Sequence, residues 1–163
     1  MITILFCAKC HYKRYTKRND KRRGACPVCN SWLVPVDGCL SKVVTSLTKS
    51  EYMITSAVCV AYTTTTISEV EIIVRFAFAY DRYVFSELPE HFEYYSNNDL
   101  PYALNFVLNH DGCGSMLLYN NYWNPDKGIS PDKVLKQAIA ELYKWASDVE
   151  HNRWFVYKLG GYL

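Results

Sequence analysis

The chain has 163 residues, half of them hydrophobic and 15% aromatic, with 14 tyrosines, which argues for a folded protein and against disorder. That length holds one compact domain plus a small appendage. The net charge of +2 hides an asymmetry: residues 1–34 carry eight Lys or Arg and one Asp (+7), residues 35–163 carry ten against fifteen (−5), and such a split marks a partner-binding end.

Met1 to Phe6 has no cation ahead of it and too few apolar residues for a signal-peptide core, so it reads as a first strand. No later run reaches the length of a membrane span, since Ile72 to Tyr80 is interrupted by Arg75 and stops at Asp81-Arg82. A soluble, cytoplasmic protein is expected. Seven cysteines leave Cys39, Cys59 and Cys113 outside the motif described next, and three spare thiols suit a reducing compartment.

That motif is Cys7-Ala-Lys-Cys10 followed by Cys26-Pro-Val-Cys29, two C-x-x-C knuckles with residues 11–25 between them. Each knuckle turns two sulfurs to one side, and the pair offers the four corners of the tetrahedron that Zn²⁺ accepts. Four thiolates leave no position for water, so the ion is expected to be structural, supplying folding free energy to a segment too short for a core of its own. A redox dithiol pair or two disulfides are the alternatives; both knuckles together at metal spacing favour zinc. His11 could replace one thiolate, but four are already at hand. The segment resembles zinc-ribbon domains, in which each knuckle sits at the turn of a short hairpin and a Cys-Pro-x-Cys second knuckle is common. The resemblance covers residues 1–36 and departs at Asn30, where many ribbons have glycine; asparagine also tolerates a left-handed backbone. Zinc ribbons serve transcription factors, nucleases, ribosomal proteins and adaptors, so the resemblance implies a mini-fold and leaves the task open.

Between the knuckles lie Lys9, Lys13, Arg14, Lys17, Arg18, Lys21, Arg22 and Arg23, with Tyr12 and Tyr15 among them. In a ribbon this loop projects from the metal, so its charges converge on one tip that a phosphate backbone would engage while the tyrosines stack on unpaired bases. Docking to an acidic protein, or a merely solvated turn, are the competing readings.

Residues 30–36 should finish the ribbon as an extended segment, with Pro35 stopping further pairing. Asp37-Gly38 is the expected boundary between a ribbon (1–36) and an α+β domain (37–163) that should fold by itself. Leu40, Val43, Val44 and Leu47 predict an amphipathic helix over 39–49. Alternation predicts antiparallel strands over 52–62, with Tyr52, Ile54, Val58, Val60 and Tyr62 on one face, and over 69–80. Four consecutive threonines make the link 63–68 a poor tight turn, so a loop longer than two residues is expected. Residues 81–101 should be irregular, with a short strand near Phe92 to Tyr95; residues 102–110 fit a strand or, through Leu100, Leu104, Val107 and Leu108, a helix, with the aromatic content favouring strand; residues 115–119 read as a strand and Asn120 to Gly128 as a loop. Ser130-Pro131 is a strong helix start, with serine able to cap, and Leu135, Ala138, Ile139, Leu142, Ala146 and Val149 predict a helix over 131–149. Asn152 is expected to cap a last short helix. The fold class is α+β: an N-terminal zinc ribbon, then an antiparallel sheet packed with helices.

Two further candidates lie in the body. Glu87, Glu90 and Glu93, with Asp99, interleave with Phe92, Tyr94 and Tyr95; exposed, they would form a protein-binding face, whereas the plainer reading turns the aromatics into the core. His110 and Cys113, with Asp111 between them, are the one place where histidine, acid and thiol are neighbours, but sequence neighbours seldom achieve Cys-His geometry. Glu87-Leu-Pro-Glu90-His91 fails as a metalloprotease motif, with one histidine and a proline against the helix it needs. The sequence therefore points to a non-enzymatic accessory or regulatory protein that binds nucleic acid or a nucleoprotein complex. The alternative is an inhibitor or adaptor of the kind a phage directs at a host or defence protein, and an enzyme using Cys113 and His110 is the remote third.

Overall fold

The structure, a computed structural model, describes residues 2–16, 24–80, 85, 87–96 and 114–149. It is α+β: among the described residues there are seven strands in one mostly antiparallel sheet, two helices and an N-terminal cysteine cluster. The strands are β1 (Thr3–Cys7), β2 (Lys13–Thr16), β3 (Leu33–Asp37), β4 (Ile54–Thr63), β5 (Ser68–Phe76), β6 (Glu93–Ser96) and β7 (Ser115–Trp123), in the spatial order β2-β1-β3-β4-β5-β7-β6. Helix α1 is Ser41–Lys49, entered through a 3-10 turn at Gly38–Leu40, and helix α2 is Pro131–Asp148.

The sheet runs across residue 37. β1 and β3 pair antiparallel over five residues, and β3 then lies parallel to β4 with Val36 opposite Ala57. Pro35 does not stop β3: it stands opposite Leu5, and pairing continues to Asp37 opposite Thr3. Successive backbone groups face opposite neighbours, so one missing N–H leaves the other side of the ladder intact.

Both helices cover one face. Val43, Val44 and Leu47 of α1 and Leu135, Ala138, Leu142, Trp145 and Ala146 of α2 share a core with Val70, Ile72, Val74 and Phe76 of β5, and Phe6 and Val36 of the first three strands reach the same core. The stripe predicted for 131–149 is thus the buried one, with Trp145 added; its indole N–H donates to the Glu87 carbonyl at 2.5 Å. Ser130 precedes α2 without a side-chain cap; its carbonyl accepts from Lys133 and Val134 instead.

Strand β4 departs from simple alternation. A bulge between Ile54 and Ser56 shifts the register, so Ile54, Ala57 and Cys59 face the helices while Val58, Val60 and Tyr62 point the other way. The single face expected for Tyr52 to Tyr62 is split there. The threonine link is a four-residue loop in which the Thr64 hydroxyl accepts from the amides of Thr66 and Ile67. β7 is longer than the sequence suggests: Asn120 to Trp123 continue it opposite Glu71 to Ser68, because a neighbouring strand overrides the low strand preference of asparagine. β5 ends at Phe76, where the chain bends and Gly114 packs so closely that a Cβ there would stand 2.3 Å from the Ala79 nitrogen. The strand expected over 102–110 and the helix expected after Asn152 lie outside the described residues.

Candidate metal centre

The two knuckles fold as copies of each other. The Cys7 amide donates to the Tyr12 carbonyl at 2.9 Å and the Cys26 amide to Ser31 at 2.7 Å; the His11 amide returns to Cys7 and the Asn30 amide to Cys26, both at 2.9 Å. Each turn closes on a left-handed residue, His11 at φ 60 and Asn30 at φ 61. Asparagine and histidine are among the side chains that accept this region most readily. The departure from glycine at Asn30 therefore leaves the knuckle geometry in place.

The sulfurs of Cys7, Cys10, Cys26 and Cys29 all lie within 4.8 Å of one another, with Cys7 to Cys29 and Cys10 to Cys26 each at 3.4 Å. A tetrahedron of thiolates around Zn²⁺, with bonds of about 2.3 Å, has edges of about 3.8 Å, so this donor set fits such an ion. The Val28 amide points at the Cys26 sulfur at 3.4 Å. Hydrogen bonds from the Ser31 hydroxyl and amide bring the Cys29 thiol down to about 6. At Cys10 the Tyr12 amide acts in the same sense, but burial and the neighbouring sulfurs of Cys26, Cys7 and Cys29 outweigh it and push the thiol up to about 12. Four thiolates this close repel one another, and a divalent cation is what allows all four to ionise together.

Strand alternation explains the placement. Leu5, Cys7 and Leu33 face away from the helices and form a separate apolar cluster with Cys26, against which Cys10, Tyr12 and Cys29 pack. Phe6, between Leu5 and Cys7, faces the main core. His11 is not among the clustered ligands: its ring lies edge-on to Phe6 at 5.8 Å.

Of the eight cations singled out in the sequence, Lys9 is exposed in the first knuckle and Lys13 and Arg14 are exposed on β2, the edge strand. Lys13 stands opposite Phe6, with its ammonium 5.9 Å from that ring, and Arg14 stands opposite Leu5, so the two leave opposite faces of the strand. Lys17, Arg18, Lys21, Arg22 and Arg23 lie outside the described residues. Tyr15 is 70% exposed, and so is Trp32, at 73%, whose only signal in the sequence is its place in an extended segment.

Glu87, Glu90 and Glu93 are exposed; of the aromatics among them Phe92 and Tyr94 pack into the core, while Tyr95 stays half-buried beside Glu93. Phe92 is buried against Tyr119 with ring centroids 5.2 Å apart, and Tyr94 donates its hydroxyl to the Tyr80 carbonyl at 2.5 Å. Tyr95 donates to Glu93 within β6. His91 is exposed in a left-handed turn, 3.4 Å from Glu90. Asp99, His110, Asp111 and Cys113 lie outside the described residues. No helix among the described residues is long and apolar enough to cross a membrane. Comparison with family models, with curated proteins and with solved structures gave no match to this chain.

Proposed function

We propose that this chain is a non-enzymatic accessory or regulatory protein that binds nucleic acid, or a nucleoprotein complex, through its metal-bearing end, with Zn²⁺ as a structural ion. The observation that carries the reading is the make-up of that end. Lys9, Lys13, Arg14, Tyr15 and Trp32 are all exposed around the four-thiol centre, and no Asp or Glu occurs in residues 2–16 or 24–36. Cations along an edge strand suit a phosphate backbone, and exposed rings give unpaired bases a stacking surface. A four-thiolate ion has no open position for substrate, so its contribution is to hold the hairpins that carry these side chains. The inhibitor or adaptor reading is weaker at its own site, because Phe92 and Tyr94 are committed to the interior and leave half-buried Tyr95 alone beside the carboxylates.

The test is fluorescence anisotropy of the zinc-loaded protein with labelled single-stranded and duplex oligonucleotides at stepped salt. If four to five phosphates are neutralised, log K against log salt should slope at about −4 on duplex. Lys13→Glu with Arg14→Glu should flatten that slope by about 2 and weaken binding to all sequences alike. Tyr15→Ala or Trp32→Ala should weaken single-strand binding about 5-fold or more. Binding that is absent, or indifferent to these charge reversals and to reversal of Arg18 and Arg22, overturns the reading. A pull-down with and without nuclease then tells a nucleic-acid partner from a protein one.

A further inference from the structure

A second pair of sulfurs lies outside the metal centre. Cys39 is exposed in the 3-10 turn that leads into α1, Cys59 is buried in β4, and their sulfurs are 3.2 Å apart. The pair is held in place by Asp37, the last residue of β3. One carboxylate oxygen accepts from the Cys59 amide at 2.8 Å and the other from the Thr3 hydroxyl at 3.5 Å. Asp37 is itself buried and stands two residues before Cys39, so the turn carrying Cys39 is anchored to the strand carrying Cys59.

The place matters as much as the distance. The two cysteines straddle the join between β3 and β4, where the ladder consists of one registered pair, Val36 opposite Ala57. The other strand pairs run over four to nine residues. Everything that holds the metal lies on the far side of that join.

We propose that Cys39 and Cys59 form a thiol–disulfide site that reacts with low-molecular-weight disulfides and, once oxidised, staples the root of the metal-bearing hairpin to the rest of the sheet. Cys39, the exposed partner, attacks one sulfur of the small disulfide as a thiolate, forming a mixed disulfide and releasing one small thiolate. Cys59 then loses its proton to that thiolate, attacks the Cys39 sulfur and displaces the second small thiolate, which takes a proton from water. Two protein thiols are oxidised and one small disulfide is reduced to two thiols. The division of roles follows from burial, since an external disulfide reaches Cys39 and not Cys59. The hydrogen bond between the sulfurs adds to it, favouring thiolate at Cys39; the same bond, together with burial and the Asp37 charge, pushes the Cys59 thiol up. Closing the bond brings the sulfurs from 3.2 Å to a bonded separation of about 2.0 Å.

The experiment equilibrates the full-length, zinc-loaded protein in mixtures of glutathione and glutathione disulfide, quenches with acid, alkylates the remaining thiols and maps the peptides by mass spectrometry. The expected result is a peptide pair joined through Cys39 and Cys59, with zinc still bound, reversal by dithiothreitol, and a melting midpoint raised by roughly 6–12 °C. Cys39→Ser should form no such bond, and Cys59→Ala should hold glutathione on Cys39 without releasing it. Should Cys59→Ala fail to fold, the parent decides alone. No joined pair at any glutathione ratio, glutathione remaining on Cys39 of the parent, or linkage of either cysteine to Cys113 or to a metal ligand would overturn the proposal.

Discussion

Removing the ion should melt more than the hairpins that hold it. The four ligands lie on β1, in the knuckles and beside β3, and these strands also send Phe6 and Val36, both fully buried, into the core shared with α1, α2 and β5. Leu5 and Leu33 are buried on the opposite face, in the cluster around the ligands. Burying a side chain of this size contributes about 1.5–3 kcal/mol, so the four together are worth roughly 6–12 kcal/mol. A domain's whole stability is about 5–15 kcal/mol, so a sheet deprived of the hairpin has little left to stand on. Each kcal/mol moves the melting midpoint of a chain this long by about 2–4 °C, and chelation should therefore lower it by more than about 12 °C. The assay is calorimetry with elemental analysis on the same sample: one zinc per chain before chelation under reductant, none after, and the same shift for Cys26→Ser. A metal-free protein that melts within about 3 °C of the loaded one would show that the ion is not coupled to the fold and sink the structural reading of the centre.

Two other outcomes follow from the same architecture. A fragment from Asp37 to Leu163 loses β1, β2 and nearly all of β3, exposing the β4 edge and emptying the Phe6 and Val36 positions; it should melt without cooperativity, and a sharp calorimetric transition in the fragment would refute this. Tyr52 has a buried hydroxyl with no hydrogen-bond partner among the described residues, and burial, with a smaller contribution from Tyr80, raises its ionisation above the ordinary 10.0. Below pH 10 the phenol is protonated folded or unfolded; above it the unfolded chain releases that proton first, so stability falls as pH rises. Tyr52→Phe should raise stability by about 1 kcal/mol at neutral pH and soften the alkaline loss, whereas a loss of stability at neutral pH would mean that the hydroxyl is satisfied after all.

What the sequence showed was local, and what it concealed was made by distant partners. The knuckles were legible because metal geometry fixes a spacing of three, and α2 was legible because a helix needs its apolar residues at one period, from Leu135 to Ala146. The bulge at Ile54 was hidden because either alternation fits a chain of valines and small residues, and the ladder with β5 decides which one is used. The continuation of β7 through Asn120 and Asn121 depends likewise on β5 being present. At the candidate nucleic-acid end the charge could be counted, but not the faces: pairing with Phe6 and Leu5 is what sends Lys13 and Arg14 to opposite sides of the edge strand. Cys39 and Cys59 looked like spare thiols because their proximity arises from β3 lying parallel to β4, a pairing without a local signal.

The two sulfur sets act on one mechanical problem from opposite ends. A hairpin attached to its sheet through a single registered pair can be ordered from within or tied at its root. A metal ion held by the four thiols would order it from within, by joining the knuckles beyond β1 and β3. The Asp37 carboxylate already ties the root without a covalent bond, by reaching the Cys59 amide on one side and Thr3 on the other. Because a buried carboxylate is stabilised by such donors and is costly to strip of them, that bridge resists separation of β3 from β4 even while both cysteines are thiols. A bond between Cys39 and Cys59 would therefore reinforce a contact already made, on the helix-facing side of β4 where Cys59 belongs to the core.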